Sequence, residues 1–247
     1  MALWHHLVSI TRRTMSRLFP FVLFVLASVG AVAQESYVVG LNVGVATFKM
    51  DDLTYYQEVW ADFNVPRTKV VQSFPPYLNY GADFSLQGKV ITKVKFGHTS
   101  TAGRASYSDY SGTLTNDIKV GMTYWGVSAG AKLFSIKEVD IILEGGILFY
   151  STSTVTTYNE QVYDTDGVEG YDVTFTTKYK SLNKALYPGI TLQRKFSNYF
   201  ARLQASYEFH FNQPSYGNGG YLMDADGRKI LVDASGTRIG VGIGYSL

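Results

Sequence analysis

Residues 239–247 read Ile-Gly-Val-Gly-Ile-Gly-Tyr-Ser-Leu, with apolar or aromatic side chains at the odd positions and Gly or Ser at the even positions. Successive side chains of a β-strand point to opposite faces. The stretch therefore predicts a strand with one apolar face and one face that is small or polar. Similar alternation recurs through the chain after residue 33, and no long apolar helix interrupts it, so the sequence predicts an all-β protein.

The alternation predicts roughly eight strands, counting from the first alternating stretch to the last. Their expected bounds are about Tyr37–Phe48, Tyr77–Gln87, Lys89–Ser100, Asp117–Phe134, Val139–Thr152, Leu182–Phe196, Tyr199–Phe211 and Asp233–Leu247. In the fourth, the apolar positions change parity near Trp125-Gly126, which predicts a β-bulge at Gly126.

The expected connections alternate between short and long. Short turns are expected near residues 87–89, 135–138 and 197–198. Long polar loops are expected at 49–76, 101–116, 153–181 and 212–232. Short turns at one end and long loops at the other are typical of bacterial outer-membrane barrels. The predicted fold is an eight-stranded antiparallel transmembrane up-and-down β-barrel, with both chain ends on the short-turn side.

Residues 1–33 have the features of a signal peptide, and the barrel domain is expected to occupy residues 34–247. The apolar run at 18–26 follows Arg12, Arg13 and Arg17, and Ala31-Val32-Ala33 fits a cleavage site. Residues 15–33 alone would suffice, which leaves Met1 and Met15 both open as the start. The leader predicts secretion across the inner membrane and residence in the cell outer membrane of a Gram-negative bacterium.

Charged side chains fall on the polar face of the predicted strands, where a barrel would enclose them. We expect Lys93, Lys95 and Arg202 to pair with carboxylates there, because an unpaired buried charge is costly. The predicted interior charged cluster is Asp83, Lys93, Lys95, Lys132, Glu144, Arg202, Glu208 and Arg238. A soluble lipocalin-like barrel, whose interior is apolar, fits this polar and glycine-rich face poorly.

Aromatic side chains are frequent and fall near the predicted strand ends, where interfacial belts of membrane proteins lie. We expect such a belt to contain Tyr77, Tyr124, Trp125, Tyr150, Tyr187, Phe196, Tyr199, Phe209, Phe211 and Tyr245.

In this pattern the chain resembles the small outer-membrane β-barrel family that includes the OmpA transmembrane domain and OmpX. The resemblance covers the chain after its leader. It implies a C-terminal strand that the barrel assembly machinery recognises, and Gly242, Tyr245 and Leu247 match that signal. Gly240 stands where the family has a polar residue, and Leu247 stands where it usually has Phe.

Few motifs indicate chemistry. His98 and Ser100 share a strand face as a hydrolase pair would, as in barrel enzymes that deacylate lipid A, but no acid is placed to orient the His. The Asp-x-Asp-Gly sequences at 164–167 and 224–227 fit turns better than calcium loops, which need further oxygen ligands. No catalytic residue, cofactor site or metal site is predicted, and the protein is not expected to be an enzyme.

The charge balance argues against a nucleic-acid partner. The leader contains three Arg and no acid, so the rest of the chain has 19 Lys and Arg against 20 Asp and Glu. The expected partners are outer-membrane lipid and lipopolysaccharide, the assembly machinery, and an extracellular protein or glycan bound by the loops.

Eight strands enclose a space that side chains can fill. The expected role is therefore a membrane-embedded scaffold whose loops serve adhesion, partner binding or envelope integrity. A narrow porin-like channel is the alternative, and a lipid A-modifying hydrolase is a third possibility.

Overall fold

A computed structural model of the chain describes residues 36–64, 69–88, 90–163, 169–217, 219–224 and 226–247. The expected leader at 1–33 lies outside these residues. The described chain is all-β apart from one helix.

The first elements are strand β1 (Ser36–Ala46), helix α1 (Asp51–Asn64) and strand β2 (Lys69–Gln72). The remaining strands are β3 (Tyr77–Gln87), β4 (Val90–Asp109), β5 (Gly112–Ile136), β6 (Val139–Tyr163), β7 (Glu169–Phe196), β8 (Tyr199–Phe211), β9 (Tyr216–Gly217), β10 (Gly220–Tyr221) and β11 (Gly236–Ser246).

Eight of these strands form one antiparallel sheet that closes on itself in a ring. Strands β3 to β8 pair in sequence order, and β11 pairs with both β8 and β1, which in turn pairs with β3. In the closing seam, Val43 lies opposite Val241 and Gly44 opposite Gly240. The prediction of an all-β chain with eight antiparallel strands is thereby confirmed.

Two hairpins are much longer than expected. Strands β4 and β5 pair from Val90↔Ala131 to Asp109↔Gly112, and β6 and β7 pair from Val139↔Arg194 to Tyr163↔Glu169. The prediction of loops at 101–116 and 153–181 was therefore wrong for the described residues, most of which are in strands. Both segments are rich in Thr, Tyr and Ser, and the first two of these pack well on a pleated sheet even where neither face is strongly apolar.

The segment 49–76 was predicted to be a polar loop but contains helix α1. Leu53, Gln57 and Ala61 recur at four-residue spacing and are buried, so one face of the helix packs against the protein. Asp51 and Asp52 occupy the first turn, where negative charge stabilises the helix dipole.

The predicted bulge at Gly126 is absent, because β5 pairs without a shift from Ile118 to Lys132 on the β6 side. The shift lies between Lys132 and Phe134, at the end of the strand. Even-numbered residues of β5 from Ile118 to Gly130 all face the ring interior. The change of apolar parity instead reflects a change along the ring interior, from apolar side chains up to Tyr124 to small or polar ones beyond it.

The wall of the ring has one interruption, between β7 and β8. Pairing runs through Leu186↔Phe209 and resumes at Gly189↔Ser206, so that Tyr187 and Pro188 have no partners on β8, although both pair with β6. Proline has no backbone N–H to donate, which accounts for the gap.

Residues 212–232 were predicted to be a polar loop and Asp233 was predicted to begin the last strand, but the described residues of the segment 212–235 fold back over the ring. This segment contains β9 and β10, an isolated bridge between Pro214 and Leu231, and the buried side chains Ile230 and Val232. The backbone N–H of Met50 donates to the Asp233 carbonyl at 2.8 Å, which joins this segment to the start of α1.

Candidate functional site

The end of the ring that carries the long hairpins is filled by apolar side chains. Helix α1 contributes Leu53, and the 212–235 segment contributes Leu222, Ile230 and Val232. They pack against inward side chains of the ring wall, namely Ile118, Val120, Met122, Leu148, Tyr150, Ala185 and Tyr187. This part of the interior is apolar, whereas the sequence predicted a polar interior throughout.

The middle of the ring and its short-turn end contain buried ion pairs. Lys93 and Lys95 both donate to Glu144, at 2.5 and 3.1 Å. The hydroxyl of Thr191 donates to the same carboxylate at 3.3 Å. Glu144 is therefore the hub of this group, and one carboxylate is shared by two ammonium groups.

A second pair spans the ring from β3 to β8. Arg202 donates to Asp83 at 2.8 Å and to the side-chain oxygen of Gln193 at 3.0 Å, and all three side chains are buried. A Cβ at Gly40 would lie 2.7 Å from both the Arg202 guanidinium and the Asp83 carboxylate. Glycine on the inner face of β1 thus makes room for this pair.

A third group lies beneath the apolar end. Glu208 accepts a hydrogen bond from Tyr150 at 2.7 Å and forms an ion pair with Arg238 at 3.0 Å, and the ring nitrogen of His210 lies 3.1 Å away. Arg238 also donates to the backbone carbonyls of Thr47 and Ala234. Through these hydrogen bonds Arg238 connects the buried Glu208 carboxylate to the chain just before α1 and at the end of the 212–235 segment.

The structure thus brings together every residue of the predicted charged cluster except Lys132. That side chain is half-exposed and pairs with Asp140 at 2.7 Å. Lys132 lies opposite the buried Ile142, so it is on the inner face of the ring as predicted, but at the open short-turn end, where its ammonium group reaches water.

A cavity of about 50 Å³ separates the Glu144 and Glu208 groups. Its lining includes the side chains of Lys95, Tyr124, Tyr187, Glu208 and Arg238. This volume is enough for a few water molecules. Packed apolar groups lie on one side of this cavity and the ion pairs of Glu144 and Arg202 on the other.

Three members of the predicted aromatic belt instead face the interior. Tyr124, Tyr150 and Tyr187 are buried, and the ring centroids of Tyr124 and Tyr150 lie 5.2 Å apart. They also lie well inside their strands rather than near the strand ends, because β5, β6 and β7 are longer than predicted. The sequence did not reveal their face, because the interior at this height is apolar.

The outer face of the ring is the opposite of the interior in polarity. It is covered by exposed apolar side chains, including Leu41 at 60 % and Ile243 at 64 % exposure. The others of this kind in the ring wall include Val39, Val43, Leu78, Phe84, Val90, Phe96, Leu143, Ile147, Leu186, Ile190, Leu203, Ile239 and Val241.

The predicted assembly-signal residues occupy the last strand. Gly242 lies opposite Asn42 in the closing seam, Tyr245 packs edge-on against Tyr199 with centroids 5.1 Å apart, and Leu247 is exposed. Two of the three side chains are thus accessible on the outside of the ring, at its short-turn end.

The His98 and Ser100 pair faces outward from β4. Nδ1 of His98 lies 3.1 Å from the hydroxyl of Thr123, and its ring lies 5.6 Å from that of Tyr80. Among the described residues, His98 forms no ion pair with an acid.

The Asp224–Gly227 sequence forms a turn. The Asp224 carboxylate accepts backbone N–H groups of Asp226 and Arg228, and Gly227 has a φ of 76°, which glycine adopts without strain. The similar sequence at 164–167 lies outside the described residues. Within the part of the chain that the structure describes, no group of His, Asp and Glu side chains could hold a metal ion.

The tip of the β4–β5 hairpin is held by side-chain hydrogen bonds to Asp109. The Ser111 hydroxyl donates to this carboxylate at 2.6 Å, and the Tyr107 hydroxyl also donates to it. These hydrogen bonds lower the pKa of Asp109 to about 2, and the one from the Ser111 hydroxyl has the largest effect. The hairpin tip therefore keeps a charged carboxylate over the physiological pH range.

No protein-family model matches the chain, and no curated protein was found to match it. No helix within the described ranges combines the length and the apolar character that crossing a bilayer requires. The functional argument therefore rests on the geometry above.

Proposed function

We propose that residues 34–247 form a transmembrane β-barrel of a Gram-negative outer membrane. The observation that supports this most strongly is the reversed polarity of the ring, with ion pairs enclosed and apolar side chains exposed. Water-soluble monomers rarely expose an apolar surface of this extent. Lipid around the ring would remove that surface from water and leave the paired charges inside.

Outward aromatic side chains support the same arrangement at both borders of the apolar band. Tyr199, Tyr245 and Phe196 lie at the short-turn end. Trp125 stacks on Phe149 at 4.7 Å, toward the long hairpins. Aromatic girdles at both interfaces are typical of outer-membrane barrels.

The proposed role is a scaffold that presents its hairpins, helix α1 and the 212–235 segment on the cell surface, for adhesion, partner binding or envelope integrity. The filled interior supports this role over a channel. Among alternatives, a lipid A-modifying hydrolase has only the His98 and Ser100 pair in its favour.

Cysteine labelling tests the proposed location and orientation, since the natural sequence contains no Cys. We expect Tyr110→Cys, at a position 95 % exposed at the β4–β5 tip, to react on intact cells with a maleimide that cannot cross membranes. Asn198→Cys, in the β7–β8 turn at the other end, is the matched control and should react only after the outer membrane is permeabilised. Equal labelling of both variants in intact cells, or labelling of neither after lysis, would contradict the proposal.

Conductance tests the alternative of a channel. The purified protein in a planar bilayer should show no steady conductance, because packed apolar side chains and buried ion pairs occupy the ring on both sides of a cavity of about 50 Å³. Insertion should be verified in the same sample by resistance of the barrel to protease. Steady single-channel current from inserted protein would favour the porin-like alternative over a closed scaffold.

A further inference from the structure

Four exposed lysines lie together on the outer face of the ring wall. Lys119 is on β5, and Lys178, Lys180 and Lys184 are on β7, with β6 between the two strands. The register places Lys119 and Lys178 in one row, on either side of Val155. Two strand spacings separate them, so their Cα atoms are about 10 Å apart.

These lysines begin where the apolar band ends. Lys184 shares a row with Phe149 and Trp125, the stacked aromatic pair of the outer border. Lys180 and Lys178 follow on β7, about 13 and 20 Å further toward the long-hairpin end at the usual rise of a strand. In the proposed bilayer, this is the depth of the lipid headgroups.

The charge of this group is not neutralised by the protein. Among the described residues, none of the four lysines forms an ion pair with a carboxylate. At the opposite end of the ring, Lys132 pairs with Asp140 at 2.7 Å and Arg194 with Glu138 at 3.0 Å, while Lys137 and Lys195 have no ion pair among the described residues. The long-hairpin border therefore has the larger group of unpaired cations.

Part of the surface between the lysines carries small groups, beside the exposed Leu182. Gly121 faces open space, where an added Cβ would meet no atom nearer than 3.8 Å, and Ser151 and Ser153 supply hydroxyl groups on β6. A bulky headgroup can thus approach the sheet while lysine side chains reach it from both sides.

We propose that Lys119, Lys178, Lys180 and Lys184 bind the phosphate groups of an anionic lipid in the leaflet on the long-hairpin side. Charge complementarity carries this inference, and it rests on the proposed membrane embedding. Basic residues near a membrane surface each contribute on the order of 1 kcal/mol to the attraction of anionic lipid. Because the four lysines lie beside the aromatic border, they bind lipid headgroups on the open surface of the ring and need no cavity.

Trp125 supplies the reporter for a test in reconstituted vesicles. The unmodified protein is refolded into phosphatidylcholine vesicles containing either brominated phosphatidylcholine or brominated phosphatidylglycerol, and quenching of its tryptophan fluorescence is compared. We expect the brominated phosphatidylglycerol to quench at a roughly tenfold lower mole fraction, in keeping with the attraction per basic residue. The triple variant Lys119→Gln/Lys178→Gln/Lys180→Gln should lose this preference.

The matched control changes the same charge at the other end, as Lys132→Gln/Lys137→Gln/Lys195→Gln, and should keep the preference. Equal quenching by both lipids in the unmodified protein, or loss of preference in the control variant, would overturn the inference. Inorganic phosphate added at constant ionic strength should not compete, and competition would assign the site to free phosphate instead.

The same samples separate this inference from the proposed function. Quenching of the triple variant by brominated phosphatidylcholine shows that the barrel is still embedded, so a lost preference then reports on the lysines alone. If brominated phosphatidylcholine leaves the unmodified protein unquenched, it is the membrane embedding that fails.

Discussion

Replacing Glu144 with Gln is expected to lower the free energy of unfolding by about 3–5 kcal/mol, the usual cost of removing one partner of a buried ion pair. The substitution leaves Lys93 almost completely buried and Lys95 largely buried, and neither has another carboxylate within 4 Å among the described residues. A shift of the urea midpoint in detergent or vesicles, followed by tryptophan fluorescence, measures the effect.

The control for this prediction is Glu138→Gln. Its pair with Arg194 is largely exposed, so its loss should change the unfolding free energy by less than about 1 kcal/mol. A further variant, Lys93→Met/Lys95→Met/Glu144→Leu, should recover most of the lost stability, because apolar side chains can replace a buried charged group without an unpaired charge. An unfolding midpoint for Glu144→Gln equal to that of the Glu138→Gln control would refute the role assigned to Glu144.

Gly44→Val is expected to prevent the ring from closing. Gly44 lies opposite Gly240 in the seam between β1 and β11, and a Cβ at Gly44 would overlap the Ile239 carbonyl oxygen and approach the Gly240 Cα to 2.5 Å. Backbone atoms of a paired strand cannot move away without breaking the ladder. We expect a loss of more than about 4 kcal/mol, in the range of severe core substitutions.

The measurement is the fraction of protein that refolds in detergent, separated on an unheated gel from the unfolded form. Gly121→Val is the matched control, because the nearest atom to its added Cβ is 3.8 Å away and valine suits a strand. Normal refolding of Gly44→Val, or equal failure of both variants, would show that the close approach in the seam does not limit closure.

Sequence periodicity predicted the strands well, and for a clear physical reason. Each wall residue faces either the enclosed or the outer side, so the two-residue alternation is imposed directly by the closed sheet. Strands β3 and β8 have the bounds expected, Tyr77–Gln87 and Tyr199–Phe211. The pairing of β11 with β1, which closes the ring, needs contacts between residues about 200 positions apart and cannot be found in a local pattern.

The contents of the interior were less predictable. On β5, apolar side chains up to Tyr124 face inward and those from Val127 onward face outward, although the strand itself is regular. If all apolar residues of a strand are assumed to share one face, the change of parity can be explained only by a bulge, and the bulge prediction at Gly126 followed from that assumption. Knowing that Leu53 of α1 and Ile230 of the 212–235 segment enter the same space resolves the parity, but those contacts are not local.

Helix α1 left a signal that could have been detected. Leu53, Gln57 and Ala61 repeat at the helical interval, and two acids precede them. The buried Gln57 interrupts the apolar stripe, and the acids and aromatic residues around it resemble those of a polar loop. The sequence predicted that the interior lysines and arginines would pair with carboxylates. Which carboxylate each of them meets, and that Glu144 accepts from two lysines, depends on the stagger of the strands.

The length of the β6–β7 hairpin determines how far from the lipid a ligand could be met. Strand β6 has 25 residues, and at about 3.3 Å each it spans roughly 80 Å along its own direction. A tilt near 40° reduces this to about 60 Å of height, and an apolar band of about 25 Å accounts for less than half of it. In the proposed outer membrane, the remainder would stand well clear of the phosphates and would offer its tip to another cell or to a soluble molecule.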